Sequence, residues 1–230
     1  LKEVKGRIAS VNSTRKITSA MKMVASAKLH KAQAAIESML PYERRLHHIL
    51  TDFMSNCTEV TSPFIVKREV KKVAVVVFAS NTSLCGGFNA NVIRHLVDLL
   101  AEYKPLGLEN ILVFPVGKKV ADAVRKLGFR IEGDFQHMAD KPSYQEAADL
   151  AADLMKRFLH GDVDKVELLY NHFKSTASQI LTRETYLPID LNNEKKEEER
   201  TIDYILEPSA EELMQDRKST RLNSSHITIS

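Results

Sequence analysis

The sequence predicts an α/β fold: a Rossmann-like α/β domain that carries a long, protruding N-terminal coiled-coil helix and the start of a C-terminal helix. Three observations predict it. Residues 2–40 contain no proline and a single glycine, with apolar positions at heptad-like spacing. The stretch Val73–Ala79 is a run of seven apolar residues, the pattern of a strand buried on both faces of a parallel sheet. Beyond it, short apolar runs alternate with amphipathic segments of helix length, which is the signature of layered α/β architecture.

The first segment is rich in Ala, Lys and Met, all strong helix formers. Val4, Ile8 and Val11 follow a four-then-three step that continues through Thr18, Ala25, Leu29, Ala32, Ile36 and Met39. The step lands on Arg15 and Lys22 in between, while Ile17, Met21 and Val24 lie one position to the side, so the seam rotates near its middle. At about 1.5 Å per residue such a helix is about 58 Å long by residue 40 and nears about 80 Å if it resumes after Pro41 through residues 42–56. A compact body of this size has a radius of gyration of about 17 Å, so the helix must protrude. A narrow apolar stripe on a protruding helix needs a partner, because its burial supplies most of the helix's stability.

In the body, residues 70–79 read as the first strand. A turn through Gly86 and Gly87 leads to a helix bearing Val92, Ile93, Leu96, Leu99, Leu100 and Tyr103. Residues 111–116 form a second strand, and residues 118–127 a helix stopped by Gly128. Residues 143–159 form another helix, with Ser143 and Glu146 at capping-box spacing. Residues 166–170 and 179–187 are strands, and residues 194–200 a solvated charged connector. The domain organisation follows: a shaft helix over 1–56, the α/β domain over 70–206, a helix start at 207–216 with Ser209 and Glu212 in capping-box spacing, and a Ser/Thr/Asn-rich tail over 217–230 that reads as non-native or disordered.

The composition, 43% hydrophobic and 27% charged, excludes wholesale disorder. No apolar run reaches the 18 residues a membrane span requires, and no secretory signal opens the chain. Two cysteines, Cys57 and Cys85, are too few for a disulfide framework or a zinc site. Charge is unevenly placed. Residues 1–40 hold eight Lys/Arg against two acids, a net of +6, whereas the remainder is mildly acidic. The lysines lack acids four residues on, so an acidic protein surface, a nucleic acid or an anionic membrane is left to meet them.

Catalytic chemistry is sparse. Cys85, between a strand and a helix in Ser83-Leu84-Cys85-Gly86-Gly87, reads either as the thiolate nucleophile of a cysteine hydrolase or as a small residue in a tight turn. No His or carboxylate stands at an assignable spacing to serve it. Gly86-Gly87 is not G-x-G-x-x-G, and Gly117-Lys118-Lys119 lacks the Walker spacing. The histidines show no metal-ligand pattern. The arm has no aromatic residue before Tyr42 on which bases could stack, which leaves nucleic acid without a reader.

The run Arg7-Ile8-Ala9-Ser10-Val11-Asn12-Ser13-Thr14-Arg15-Lys16-Ile17-Thr18-Ser19-Ala20-Met21-Lys22-Met23-Val24-Ala25-Ser26-Ala27-Lys28-Leu29 resembles the N-terminal signature of the gamma subunit family of F-type ATP synthases over its whole length. Residues 84–89 (Leu-Cys-Gly-Gly-Phe-Asn), 170–175 (Tyr-Asn-His-Phe-Lys-Ser) and 203–208 (Asp-Tyr-Ile-Leu-Glu-Pro) are similar to further family stretches. The resemblance covers about residues 1–216. Asn81 and Ser83 stand where the family usually has Asp and Gly, so the family role of that Asp is not carried over. The family's C-terminal signature is absent after Arg217, which marks the chain as truncated or chimeric there, and the regulatory cysteine loop of chloroplast forms is missing, which points to a bacterial or mitochondrial type.

The resemblance implies a non-catalytic rotor without cofactor or metal. Its two-helix shaft turns inside the alpha and beta subunits of the catalytic head, while its body sits with the epsilon subunit on the membrane proton-translocating ring. It further implies that Lys16, Met21, Lys22, Lys28 and Lys31 meet the acidic lever segment of the catalytic ring, that Tyr204 faces the membrane ring, and that the chain's own C-terminal helix completes the shaft. The implied location is the cytoplasmic face of the bacterial inner membrane, or the matrix side of the mitochondrial one.

Overall fold

The computed structural model describes residues 2–56, 62–175 and 178–189. The helix start at 207–216, the tail over 217–230, the charged connector and Tyr204 lie outside the described residues, as does Cys57.

One helix, α1, runs from Lys2 to Asn56 and includes Pro41. At about 1.5 Å per residue it is about 82 Å long. The helix continues past Pro41, a residue that removes one backbone donor and crowds the preceding turn. Residues 2–31 are all exposed, and Ile36 is the first buried position, with Ala32, Gln33, Met39 and Leu40 half-buried around it.

The body is a five-stranded sheet between helices. Its strands are β1 (Val73–Phe78), β2 (Ile111–Val116), β3 (Arg130–Ile131), β4 (Lys165–Ser175) and β5 (Ser178–Leu187), in the order β3-β2-β1-β4-β5. The helices are α2 (Phe88–Tyr103), α3 (Lys118–Leu127), α4 (Gln136–Asp140) and α5 (Tyr144–His160). β1 is parallel to β2 and β4, and β3 is parallel to β2. β5 is antiparallel to β4, which makes the sheet mixed rather than wholly parallel. The reason is chain length: the few residues between the two runs cannot form a crossover helix, so the chain must turn back.

Every residue of β1 and β2 is buried because both faces of these strands are covered. Val73, Val75 and Val77 pack with Val92, Leu96 and Leu100 of α2 and Val120 and Val124 of α3. Ala74, Val76 and Phe78 pack on the other face with Leu150, Leu154 and Phe158 of α5. Gly128 and Gly161 end α3 and α5 in the left-handed conformation, which costs a residue without Cβ little. Ser143 is the N-cap of α5, yet it makes no side-chain cap hydrogen bond. The expected capping box is therefore not formed: Glu146 lies 3.1 Å from His137 Nδ1 instead.

Candidate interaction surface

The exposed surface of α1 is the first candidate site. Val4, Ile8, Val11, Ile17, Met21, Met23 and Val24 are each more than half exposed, and no described residue covers them. The side chains around them support only the helix itself. Arg7 donates to Glu3 at 2.9 Å, and Thr14 and Thr18 donate to carbonyls one turn back. Thr18 in this arrangement spends its hydroxyl on its own backbone. Lys16, Lys22, Lys28 and Lys31 are exposed and make no ion pair with any described residue.

Helical rotation sorts these residues. At about 100° per residue, Lys16, Lys31, Lys28 and Met21 fall within an arc of about 140°, spread over about 22 Å of the axis. Lys22 lies about 120° beyond either end of the three lysines, beside the line of Val11 and Leu29. The helix thus gathers four of the five predicted residues on one flank and sets Lys22 near the apolar seam.

The second candidate, the loop after β1, is a polar knot. Ser80 N–H donates to Asn89 Oδ1 at 3.0 Å, and Asn89 Nδ2 donates to Thr82 O at 2.9 Å and to Cys85 Sγ at 3.0 Å. Ser80 Oγ donates to the thiol at 3.7 Å, and the thiol donates to Thr82 O at 3.8 Å. Among the described residues none of these groups is a base, and His95 is exposed on α2, so the cysteine-hydrolase expectation has no support. Asn81 explains itself here. Its Oδ1 accepts from Lys118 N–H at 2.7 Å, capping α3, and its Nδ2 donates to Gln136 O at 2.8 Å, holding α4. A carboxylate could make the first bond and not the second.

A shallow cavity of about 330 Å³ lies between α4 and α5, with Met138 and Leu150 on its floor and Asp134, Glu146, Asp149 and Asp153 at its edge. Among the described residues no group of three His, Cys, Asp or Glu is arranged to hold a metal ion, and no helix is long and apolar enough to cross a membrane.

The sequence reading missed a charge cluster in the body. Glu167 of β4 is 1% exposed. It accepts from Tyr103 OH at 2.7 Å and from Arg183 Nε and Nη2 at 2.8 and 3.1 Å, and it pairs with Lys165. Arg183 also reaches Glu102 through Nη1 at 2.7 and 2.9 Å. Burial pushes the Glu167 carboxyl up, but the bonds from Arg183, Lys165 and Tyr103 outweigh it and hold it below the usual range. Burial pulls Lys165 down, and Glu167 and Tyr103 more than reverse that, so it is raised. Burial raises the Tyr103 phenol, with Lys165 opposing and Glu167 assisting. The available signal was a carboxylate set between the apolar residues Val166 and Leu168 near the start of a strand, which has to be paired if that stretch is buried.

A long helix whose apolar stripe is uncovered and whose Lys16, Lys22, Lys28 and Lys31 are unpaired among the described residues, mounted on a mixed α/β body, defines a rod-bearing interaction protein. The sequence profile of the ATP synthase family matches residues 1–228. The chain is 78% identical over 216 residues to the ATP synthase gamma chain of Phocaeicola vulgatus, covering 93% of this chain and 75% of that one. It is 58% identical over 239 residues to the ATP synthase gamma chain of Bacteroides thetaiotaomicron, covering 99% and 80%. Its fold is similar to a chain of the central stalk of the Tetrahymena thermophila mitochondrial ATP synthase, with a TM-score of 0.62, 19% identity and 92% of each chain covered. The chain belongs to the ATP synthase family, among its gamma chains.

Proposed function

We propose that this chain is the non-catalytic rotor of an ATP synthase central stalk, coupling transmembrane proton flow to ATP synthesis or hydrolysis by turning inside the catalytic ring. The observation that carries this reading is the rod: about 82 Å of helix whose first thirty positions offer an apolar stripe and unpaired lysines to something outside the described residues. A surface of that kind loses water against a second helix and inside an assembly, and a slender helix is the shape that fits along the axis of a ring.

The α1 flank of Lys16, Met21, Lys28 and Lys31 meets acidic segments of the alpha and beta subunits, and Lys22 serves on the opposite side, next to the second helix of the shaft. Complementary charge here sets register and orientation more than affinity. The helix start at 207–216 belongs to that second helix. The body, with Tyr204 on its membrane-ring side, sits with the epsilon subunit on the proton-translocating ring at the cytoplasmic face of the inner membrane. In this role the rod's stiffness is the chemistry. Helical hydrogen bonds keep the angle between its two ends fixed while the ring subunits change shape around it.

The test is reconstitution of the full chain with its catalytic head and membrane ring, carrying Met21→Lys. An added cation on the flank alters the meeting with the acidic segment while leaving α1 helical, so proton pumping per ATP falls and assembly persists. Equal loss of assembly and coupling would refute the reading.

A further inference from the structure

The β4–β5 hairpin is fastened unevenly to the rest of the sheet. Among the described residues β5 is the outermost strand, and its ladder partner is β4. That ladder is irregular between Val166 and Glu167 and again between Phe173 and Ser175. Bulges of this kind interrupt pairing, so backbone bonds alone specify register weakly beside them. Glu167 stands at the first irregularity, opposite Thr185, and Arg183 is its diagonal neighbour.

Arg183 divides its fork between two elements. Nε and Nη2 grip the buried Glu167 of β4, and Nη1 bonds both carboxylate oxygens of Glu102 on α2. Tyr103, the last residue of α2, closes the set by donating to Glu167 while accepting from Lys165 Nζ at 2.9 Å. The guanidinium therefore ties the edge strand to the helix across β4. Strand side chains alternate, so a slip of β5 by one residue would turn Arg183 away from α2 and toward the face where Leu168, Tyr186 and Leu154 pack. The slip would also leave Glu167 buried without its guanidinium, and an uncompensated buried charge is strongly destabilising.

We propose that Glu102, Tyr103, Lys165, Glu167 and Arg183 form a register lock, which makes β5 and α2 move as one piece. Force entering the body through the chain beyond Leu187 then passes into α2 and the sheet instead of peeling the hairpin from its edge. The proposal rests on the rotor reading above, in which the body transmits torque.

Hydrogen exchange on the full chain, free and within the assembled synthase, tests it with the double variant Glu167→Gln/Arg183→Met and the single variant Glu102→Gln. Removing both charges together leaves no buried carboxylate at position 167 without its guanidinium, so the double variant folds. The lock requires β5 amides to exchange at least about ten-fold faster in the double variant, while β1 and β2 stay within about three-fold. Glu102→Gln, which weakens the Arg183 link to α2 and leaves the Tyr103 link in place, gives a smaller change confined to β5. In the assembled complex the double variant retains ATP hydrolysis and pumps fewer protons per ATP. Unchanged β5 exchange, or an equal rise in every strand, would overturn the lock. Failure of the unaltered chain to pump would instead count against the rotor reading, and the exchange data would still decide the lock.

Discussion

Gly117 is the position where one methyl group does most damage. It closes β2 with φ 113° and ψ 143°, a region that residues with a Cβ enter at a cost of about 1–3 kcal/mol. A Cβ there would also lie 2.1 Å from the carbonyl oxygen of Ala79 and 2.8 Å from its carbon. Ordinary contact needs about 1.3 Å more, and the backbone on the Ala79 side is fixed by its N–H bond to Val116 O at 2.8 Å. Forced displacement of packed backbone adds about 1–3 kcal/mol. Gly117→Ala is therefore expected to lose about 4 kcal/mol, a large share of the roughly 5–15 kcal/mol of a typical domain. Gly128→Ala isolates the conformational part. Its φ is 78° with nothing within 4 Å of the new atom, so about 1 kcal/mol is expected. Urea unfolding of both variants, followed by circular dichroism, measures the difference. Equal losses, or a loss under about 1 kcal/mol for Gly117→Ala, would refute the close approach of the β1 and β2 ends.

Three further outcomes follow from the same geometry. Asn81→Asp keeps the cap on Lys118 N–H but sets a carboxylate oxygen against Gln136 O, and is expected to cost about 1–2 kcal/mol by denaturation, with Asn81→Ser losing no more. The charge cluster gives stability between two pH limits: Glu167 is lowered, so its contribution is present above the unfolded carboxyl value of about 4.3 and is lost as pH falls through its lower folded value. Lys165 and Tyr103 are raised, so theirs is present below the unfolded values near about 10 and is lost as pH rises through the folded ones; melting temperature against pH should fall at both ends, and Glu167→Gln should flatten the acid limb. Cys85→Ala should leave ATP hydrolysis and proton pumping of the assembled synthase within about two-fold, because the thiol contacts only Asn89, Ser80 and the Thr82 carbonyl among the described residues, none of them a base.

Much of the fold was legible because local and global preferences agree. The apolar run at 73–78 has no amphipathic alternative, residues 111–116 end at a glycine, and Gly128 and Gly161 stop their helices where the Cβ-free conformation is needed. The two-residue β3 and five-residue α4 were not read, since elements that short carry no periodicity. The antiparallel β5 was visible only as the shortness of its connection. Ser143 and Glu146 had the right spacing for a capping box, but His137, brought in by α4, takes the carboxylate. Lysine positions on α1 were plain from sequence, whereas the separation of Lys22 from the others needed the helical rotation. The Glu167 cluster joins residues 102, 103, 165, 167 and 183, which only the tertiary fold assembles.

The rotor reading requires the exposed edge of α1 to be a buried surface in the working assembly. Single cysteines at Val4, Val11 and Leu29, in a chain carrying Cys57→Ala and Cys85→Ala, would be labelled with a soluble maleimide in the free protein and in the assembled synthase. Burial by partners predicts labelling at least about ten-fold slower in the assembly at all three positions, with a cysteine at the exposed Val66 of the body as the comparison. Equal labelling rates at Val4 and Val11 in the free and assembled states would contradict the account.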